Sequence, residues 1–194
     1  GMPTGTNQET GRPTPEVILT VLHAGGKFSS DGGYKTSGGL HGVGSSVVNA
    51  LSEYLDLTIY RDGTIYKQRF SQGGSVIDEP EIGGKTKKTG TVIHFKPDIT
   101  IFNKINFNFS TVSERLREDA FLLKGIEMVL IDERSEREEH YHYEHGLEEF
   151  ISWLNSGKHK SISKIVSFDD TAHEIETEIA LQFNDGYSEN IVSF

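Results

Sequence analysis

The succession of segments along this chain predicts an α+β fold, a two-layer sandwich of helices on a mixed, mainly antiparallel sheet, with the first strands of a second α/β domain. Three observations support this prediction. The chain opens with two helical patterns that flank a glycine-rich loop at 24–44. A strong hairpin signal follows at 61–64, and residues 175–183 alternate between apolar and polar side chains. Helices at the beginning, followed mostly by antiparallel strands, indicate helices gathered on one face of the sheet.

Two helices are predicted before residue 60. Thr14-Pro15-Glu16 supplies a capping residue, a proline at the first helical position and an acidic first turn. Gly25-Gly26 is expected to end this helix. A second helix is predicted from Ser45 to Leu55, because four apolar residues recur at helical spacing: Val47, Val48, Leu51 and Leu55.

The rest of the chain is predicted to combine short strands with two further helices. Asp62-Gly63 is a preferred two-residue hairpin turn, and it lies between candidate strands at 57–60 and 65–68. Asn184-Asp185-Gly186 is expected to turn the chain into a last strand at 191–194. The remaining predicted elements are strands at Thr91–Phe95, Ile126–Ile131 and Tyr141–Tyr143, and helices at Ser110–Leu123 and Gly146–Asn155.

Composition limits the possible classes of function. Hydrophobic residues make up 35% and charged residues 25% of the 194 residues, and no apolar run approaches the ~18 residues of a membrane span. We therefore expect a cytoplasmic protein without a membrane partner. The absence of cysteine excludes disulfides, thiolate metal ligands and cysteine nucleophiles. A net charge of −10 argues against tight binding of DNA by this region alone.

The glycine-rich segment 37–46 predicts a site for polyphosphate. Glycines allow consecutive backbone N–H groups to converge on a small volume, and the helix that follows adds its own unpaired N–H groups. Lys27 and Lys35 lie in the same loop and add positive charge. The segment lacks the Gly-Lys-Ser/Thr ending of a Walker A loop and the preceding strand of a dinucleotide-binding turn. A plain surface loop is the alternative interpretation.

Three stretches together resemble the ATPase domain found in the B subunits of bacterial type IIA topoisomerases, which belong to the gyrase/chaperone-90/histidine-kinase/mismatch-repair ATPase superfamily. These stretches are Leu19–Phe28, Tyr34–Gly44 and Ser46–Ser52. Further segments resemble the end of the family's adenine-side motif, its Thr-Gly-Thr segment and the opening of its transducer domain: Gly1–Gly5, Lys88–Thr91 and Ala180–Phe194. The resemblance thus extends over essentially the whole chain.

Within the family, the pattern looks more like the B subunits of topoisomerase IV than those of gyrase. The resemblance implies an ATPase domain at 1–168 that lacks its N-terminal helix segment, and the start of a transducer at 169–194. It implies the ATP-binding portion of an enzyme that couples ATP binding and hydrolysis to DNA strand passage, giving decatenation and relaxation, or supercoiling in a gyrase. The implied partners are a DNA-cleaving A subunit, a second B subunit on ATP binding, and DNA through other parts of the protein.

The resemblance also assigns residues to a site. Residues 40–46 resemble the lid segment that wraps the triphosphate, and Gly1 and Thr91 resemble the glycine and the hydroxyl beside the adenine. The implied ATP-binding set is Gly1, Lys27, Lys35, Gly39, Leu40, His41, Gly42, Val43, Gly44, Ser45, Ser46 and Thr91. The implied inhibitor pocket consists of Met2, Pro3, Arg61 and Thr91.

The chain departs from the family pattern in the catalytic residues. The family's water-activating glutamate, magnesium-binding asparagine, adenine-reading aspartate and transducer lysine have no counterpart in this sequence. Beside ATP, Mg²⁺ is expected as a cofactor with its ligand upstream of Gly1, and no catalytic residue or metal ligand is assigned here. A truncated, catalytically inactive nucleotide- or inhibitor-binding fragment is the alternative. Another superfamily member, such as a mismatch-repair ATPase or a chaperone, is a more distant one.

Two further polar clusters favour structural roles. Four glutamates are interpreted as a solvated charged loop: Glu133, Glu136, Glu138 and Glu139. The segment 140–145 contains three histidines, but its period-two alternation favours a β-strand over a metal site.

Overall fold

The computed structural model describes residues 1–24, 42–156, 161–172, 175–187 and 189–194. The chain divides into two compact units, Gly1–Asn106 and Phe107–Phe194, which we describe separately. The predicted domain limits, 1–168 and 169–194, stay a prediction, because compactness does not fix the limits of related domains. Among the described residues, no helix is long and apolar enough to cross a membrane.

The first unit is a five-stranded antiparallel sheet with two short helices. The central strand β1 pairs with β2 on one side and with β5 on the other, and β3 and β4 both pair with β2. The elements are α1 (Thr14–Thr20), α2 (Gly44–Ala50), β1 (Ser52–Arg61), β2 (Thr64–Ser71), β3 (Val76–Ile77), β4 (Glu81–Lys85) and β5 (Gly90–Pro97).

The β1–β2 hairpin forms as predicted. Asp62 and Gly63 both have positive φ, at 50° and 75°, which is what a two-residue turn of type I′ requires. Arg61 and Thr64 pair directly across this turn, and the register continues to Tyr54 opposite Ser71. The turn chemistry therefore sets the register of the β1–β2 pair.

The core of this unit lies on one face of the sheet. Leu55, Leu57 and Ile59 alternate along β1 and are all buried, whereas the residues between them are half-buried. They pack with Leu19 of α1 and with two aromatic residues of β2, Tyr66 and Phe70. The helix α1 thus lies on the apolar face, as expected for an α+β sandwich, and the predicted fold class is confirmed.

Both predicted helix ends in this unit are wrong. The first helix ends at Thr20 rather than at Gly25, and Pro13 rather than Thr14 is its capping residue. The second helix ends at Ala50, and Leu55 belongs to β1. The spacing of Leu55 from Val48 fits a helix, but its spacing from Leu57 and Ile59 fits a strand, and pairing on both sides of β1 favours the strand.

The second unit contains two hairpins and two helices, and the predicted helices are confirmed to within one residue. In α3, the side chain of Asn108 caps the first turn by accepting a hydrogen bond from the Thr111 backbone N–H at 3.1 Å. The elements are α3 (Phe109–Leu122), β6 (Met128–Asp132), β7 (Arg137–Tyr141), α4 (Leu147–Asn155), β8 (Val166–Ala172) and β9 (Ile175–Leu181).

Aromatic side chains hold α3 and α4 together in this unit. Phe121 stacks on Tyr143 with ring centroids 3.7 Å apart and lies 5.3 Å from Phe150 of α4. Trp153 lies 6.0 Å from the Phe121 ring. Stacked and tilted ring contacts of this kind add to the stabilisation from the apolar area that the rings bury.

Glu138 and Glu139 lie in β7 rather than in a charged loop, and Glu139 links that strand to α3. Its carboxylate accepts hydrogen bonds from Tyr141 and from Ser113 (3.0 Å), and it pairs with Arg137 at 2.5 Å. These contacts lower the pKa of Glu139 to about 2. β6 and β7 pair from Met128 opposite Tyr141 to Asp132 opposite Arg137, so only Glu133 and Glu136 of the four glutamates lie in the exposed turn between the strands.

We expect this network to make the second unit sensitive to acid. Because the pKa of Glu139 is lowered by folding, its stabilising effect is complete above its ordinary value near about 4.3 and is lost as the pH falls towards about 2. Glu139→Gln should therefore be less stable than the wild type at neutral pH, and the two should converge in acid. Unfolding midpoints between neutral and acidic pH measure this. Glu133→Gln, in the adjacent exposed turn, is the control, and a constant gap at every pH would contradict the assignment.

Candidate functional site

Residues 1–3 dock at the corner where β1 and β5 pair. The Gly1 nitrogen donates a hydrogen bond to Thr89 Oγ1 at 3.0 Å, and the Met2 N–H donates one to Thr91 Oγ1 at 2.9 Å. A Cβ atom added at Gly1 would lie 2.6 Å from the carbonyl oxygens of both Tyr60 and Gly90. Only a residue without a side chain fits between these two strands.

Arg61 closes the corner from the end of β1. Its Nη1 donates to the Gly1 carbonyl oxygen at 2.6 Å, and its Nε donates to Asp62 Oδ2 at 3.2 Å. Met2 is half-buried and packs against the core, whereas the following Pro3 is exposed. We call the set Gly1, Met2, Arg61, Thr89 and Thr91 the strand corner.

The strand corner can offer polar groups to a flat heterocycle. The Thr91 hydroxyl accepts the Met2 hydrogen bond and still carries one O–H donor, since a hydroxyl can do both. Arg61 keeps donors beyond the two it uses on Gly1 and Asp62, because a guanidinium has five. Beside these donors, Met2 supplies apolar surface.

The segment Gly42–Ser46 forms the entry to α2. Gly42 has a φ of 60°, a conformation that favours glycine, and Val43 is the capping residue without a side-chain cap among the described residues. The hydroxyls of Ser45 and Ser46 donate to the carbonyl oxygens of Ile18 (3.3 Å) and Val43 (3.0 Å). Their side chains are thus committed to the backbone, and the first-turn N–H groups remain the donors that this segment can offer.

The structure describes only part of the predicted site. It brings Gly1, Met2, Arg61 and Thr91 together directly, and it places Gly42, Val43, Gly44, Ser45 and Ser46 at the start of α2 in the same unit. The other predicted ATP-binding residues lie outside the described residues: Lys27, Lys35, Gly39, Leu40 and His41.

Thr89 belongs to the strand corner, although the sequence did not predict it as a site residue. It stands two residues before Thr91, and side chains two apart on an extended segment lie on the same side. That spacing was the signal in the sequence that could have found it.

The histidines at 140 and 142 pair with carboxylates. His140 lies 2.7 Å from Glu138 and 3.2 Å from Glu127, and His142 lies 2.8 Å from Glu144. The hydrogen bonds to these carboxylates raise the pKa of both histidines. Over the described ranges, no group of three or more His, Asp or Glu side chains is arranged to hold a metal ion.

A cavity of about 260 Å³ lies away from the predicted site, beside β2. An ion pair occupies one wall of it, in which Arg69 contacts both carboxylate oxygens of Asp56 at 2.6 and 2.8 Å. The Arg69 side chain lowers the pKa of Asp56 through these hydrogen bonds. With its polar groups already paired in this way, the cavity is a weaker candidate than the strand corner.

Comparisons with known proteins show which proteins this chain is similar to. The family model for DNA gyrase B matches residues 146–194. The B subunit of DNA topoisomerase 4 from Bacillus subtilis (strain 168) is 62% identical over 194 residues, and that from Staphylococcus aureus (strain Mu50) is 58% identical over 197. Each alignment covers the whole of this chain, and the chain spans 29% of the length of these relatives.

A solved structure has a fold similar to that of this chain. The 43K ATPase domain of Thermus thermophilus gyrase B, in complex with an aminocoumarin, matches with a TM-score of 0.79 and 33% identity. The match covers 97% of this chain and 47% of that one. Both named sequence relatives come from topoisomerase IV, the branch that the sequence favours. Along its whole length, the chain is similar to the B subunits of bacterial type IIA topoisomerases, and the predicted resemblance is confirmed.

Proposed function

We propose that this chain is the ATP-binding portion of a type II DNA topoisomerase B subunit, which uses ATP binding and hydrolysis to drive DNA strand passage. The observation that carries the proposal is the strand corner, where Gly1 and Met2 meet Arg61 and the exposed hydroxyls of Thr89 and Thr91. Its arrangement suits the adenine end of a nucleotide, with Gly1 and Thr91 beside the ring. We place an aminocoumarin-type inhibitor at the mouth of this corner, against Met2, Pro3, Arg61 and Thr91.

The triphosphate is assigned to the other part of the site. The N–H groups of Gly42–Ser46 suit phosphate oxygens, because charge-assisted hydrogen bonds from several amides add to the favourable field at the start of a helix. Lys27, Lys35, Gly39, Leu40 and His41 complete the proposed set. The Mg²⁺ ligand is proposed to lie upstream of Gly1, where the resemblance to the family places it.

We propose that the wider assembly is that of the relatives. The protein would join a DNA-cleaving A subunit, pair with a second B subunit when ATP binds, and contact DNA through parts outside this chain. The net charge of −10 supports this division, since an acidic surface repels DNA phosphates. Activity on chromosomal DNA implies a cytoplasmic location.

Turnover tests the proposal and separates it from the alternative of an inactive fragment. The chain alone should release negligible phosphate from ATP, because none of its residues matches the family's general base or magnesium ligand. The full-length protein, with the upstream segment joined, should hydrolyse ATP. Phosphate release by both proteins, measured side by side with Mg²⁺, checks this. Comparable turnover by the two would contradict the assignment of catalysis to the upstream segment, and no turnover by either would contradict the ATPase function.

A further inference from the structure

Asn49 is a buried polar residue that links the two helices of the first unit. It lies on α2 with 1% of its surface exposed, and its Nδ2 donates to the Leu19 carbonyl oxygen in the last turn of α1 at 2.9 Å. Ser45, one turn earlier on α2, donates to the Ile18 carbonyl oxygen. Two side chains of α2 therefore hold the end of α1 through its backbone.

A turn with left-handed backbone angles follows β2 and packs against Asn49. Gln72, Gly73 and Gly74 have consecutive positive φ angles of 51°, 66° and 82°. A Cβ added at Gly74 would lie 2.5 Å from Asn49 Nδ2, and one at Gly73 would lie 2.7 Å from the Ala50 carbonyl oxygen. The turn thus approaches α2 so closely that no side chain fits at either glycine. Its backbone packs against the Asn49 amide and restricts the movement of that side chain.

Stability alone does not account for an amide at this position. Asn49 Oδ1 is buried and has no hydrogen-bond partner among the described residues. Burying this unpaired acceptor is unfavourable, and it offsets part of what the Nδ2 bond to the Leu19 carbonyl oxygen contributes to stability. The amide instead fixes the position of α2 relative to α1, because its hydrogen bond to the Leu19 carbonyl oxygen is directional.

We propose that Asn49 is a positioning residue for nucleotide binding. By fixing α2 against α1, it sets where the N–H groups of Gly44–Ser46 lie relative to the triphosphate, without touching the ligand itself. This inference rests on the proposed function, because it needs those amides to be phosphate donors. Small displacements of such donors are costly for binding, since several hydrogen bonds must be satisfied together.

Asn49→Leu in the full-length protein is the test. Its dissociation constant for a non-hydrolysable triphosphate analogue should rise about tenfold, because the N–H groups of Gly44–Ser46 are no longer held where they face the phosphate oxygens. The dissociation constant for an aminocoumarin, which we place at the strand corner, should stay within about twofold of the wild-type value. This binding also shows that the variant is folded. The thermal midpoint should fall, because leucine leaves the buried Leu19 carbonyl oxygen without its donor. A general loss of stability would weaken both ligands, so it does not explain a loss confined to the triphosphate.

Gly74→Ala is a second, independent test of the role of Asn49. Its methyl group would press on the Asn49 amide, so we expect the same selective loss of triphosphate affinity. Gly125→Ala is the matched control, because Gly125 has a similar φ of 74° but an added Cβ there would have no neighbour within 4 Å. Unchanged triphosphate affinity in Asn49→Leu and Gly74→Ala, or an equal loss for both ligands, would overturn the inference. A wild-type protein that binds no triphosphate would instead overturn the proposed function.

Discussion

Replacing Gly42 with valine in the full-length protein is expected to weaken binding of a triphosphate analogue about a hundredfold. Gly42 has a φ of 60°, and a β-branched residue there is strained by roughly 1–2 kcal/mol. The strain would be relieved by turning the peptide, which removes at least one N–H from the phosphates. Each hydrogen bond to a charged group contributes about 1.5–3 kcal/mol, so the two effects together reach this magnitude.

The control for this substitution is Gly11→Val. Gly11 has a φ of 67°, and an added Cβ there would meet nothing within 4 Å, so the same backbone strain is introduced away from the site. Titration calorimetry with the triphosphate analogue and with an aminocoumarin measures both affinities. A loss shared equally by the two ligands, or an equal loss in Gly11→Val, would show that Gly42 acts on the fold rather than on phosphate binding.

Gly1→Ala in the full-length protein is expected to abolish tight aminocoumarin binding and to destabilise the first unit. The new methyl group would lie 2.6 Å from the carbonyl oxygens of Tyr60 and Gly90. These are backbone atoms of paired strands and cannot move aside as a side-chain end would. Overpacking of this kind typically costs about 1–3 kcal/mol, and relieving it by displacing residues 1–3 breaks the Met2 bond to Thr91.

Gly5→Ala provides the matched control for this prediction. An added Cβ at Gly5 would meet nothing within 4 Å, although the residue lies only four positions after Gly1. Thermal melting with and without an aminocoumarin reports both effects at once. An inhibitor-induced rise in melting temperature that survives in Gly1→Ala would mean that the strand corner is not where this ligand binds.

Local chemistry explains which parts of the fold the sequence could predict. The Asp62-Gly63 turn was predictable because its positive φ angles depend on two residues alone. The end of α2 was not, because Leu55 satisfies both a helical and a strand period, and the choice depends on its partners Phe70 and Phe95 in β2 and β5.

The contacts within the site could not be predicted from local sequence patterns. The bond between Met2 and Thr91 joins residues 89 apart in the chain, and only the resemblance to a known family placed them together before the structure did. The role of Asn49 depends on Gly74, which reaches it through the fold of the sheet. No periodicity or motif in the sequence indicates such a contact, because it is made by elements that are distant in the chain.

The central claim is that Gly1–Pro3, Gly42–Ser46 and Thr89–Thr91 belong to one ATP-binding site. The most direct test is amide hydrogen exchange of the full-length protein with and without a non-hydrolysable triphosphate analogue. We expect the triphosphate to protect all three segments, and an aminocoumarin to protect the first and third but to leave Gly42–Ser46 unchanged. Protection confined to the residues that line the cavity beside β2, such as Lys67, Arg69 and Glu81, would contradict it.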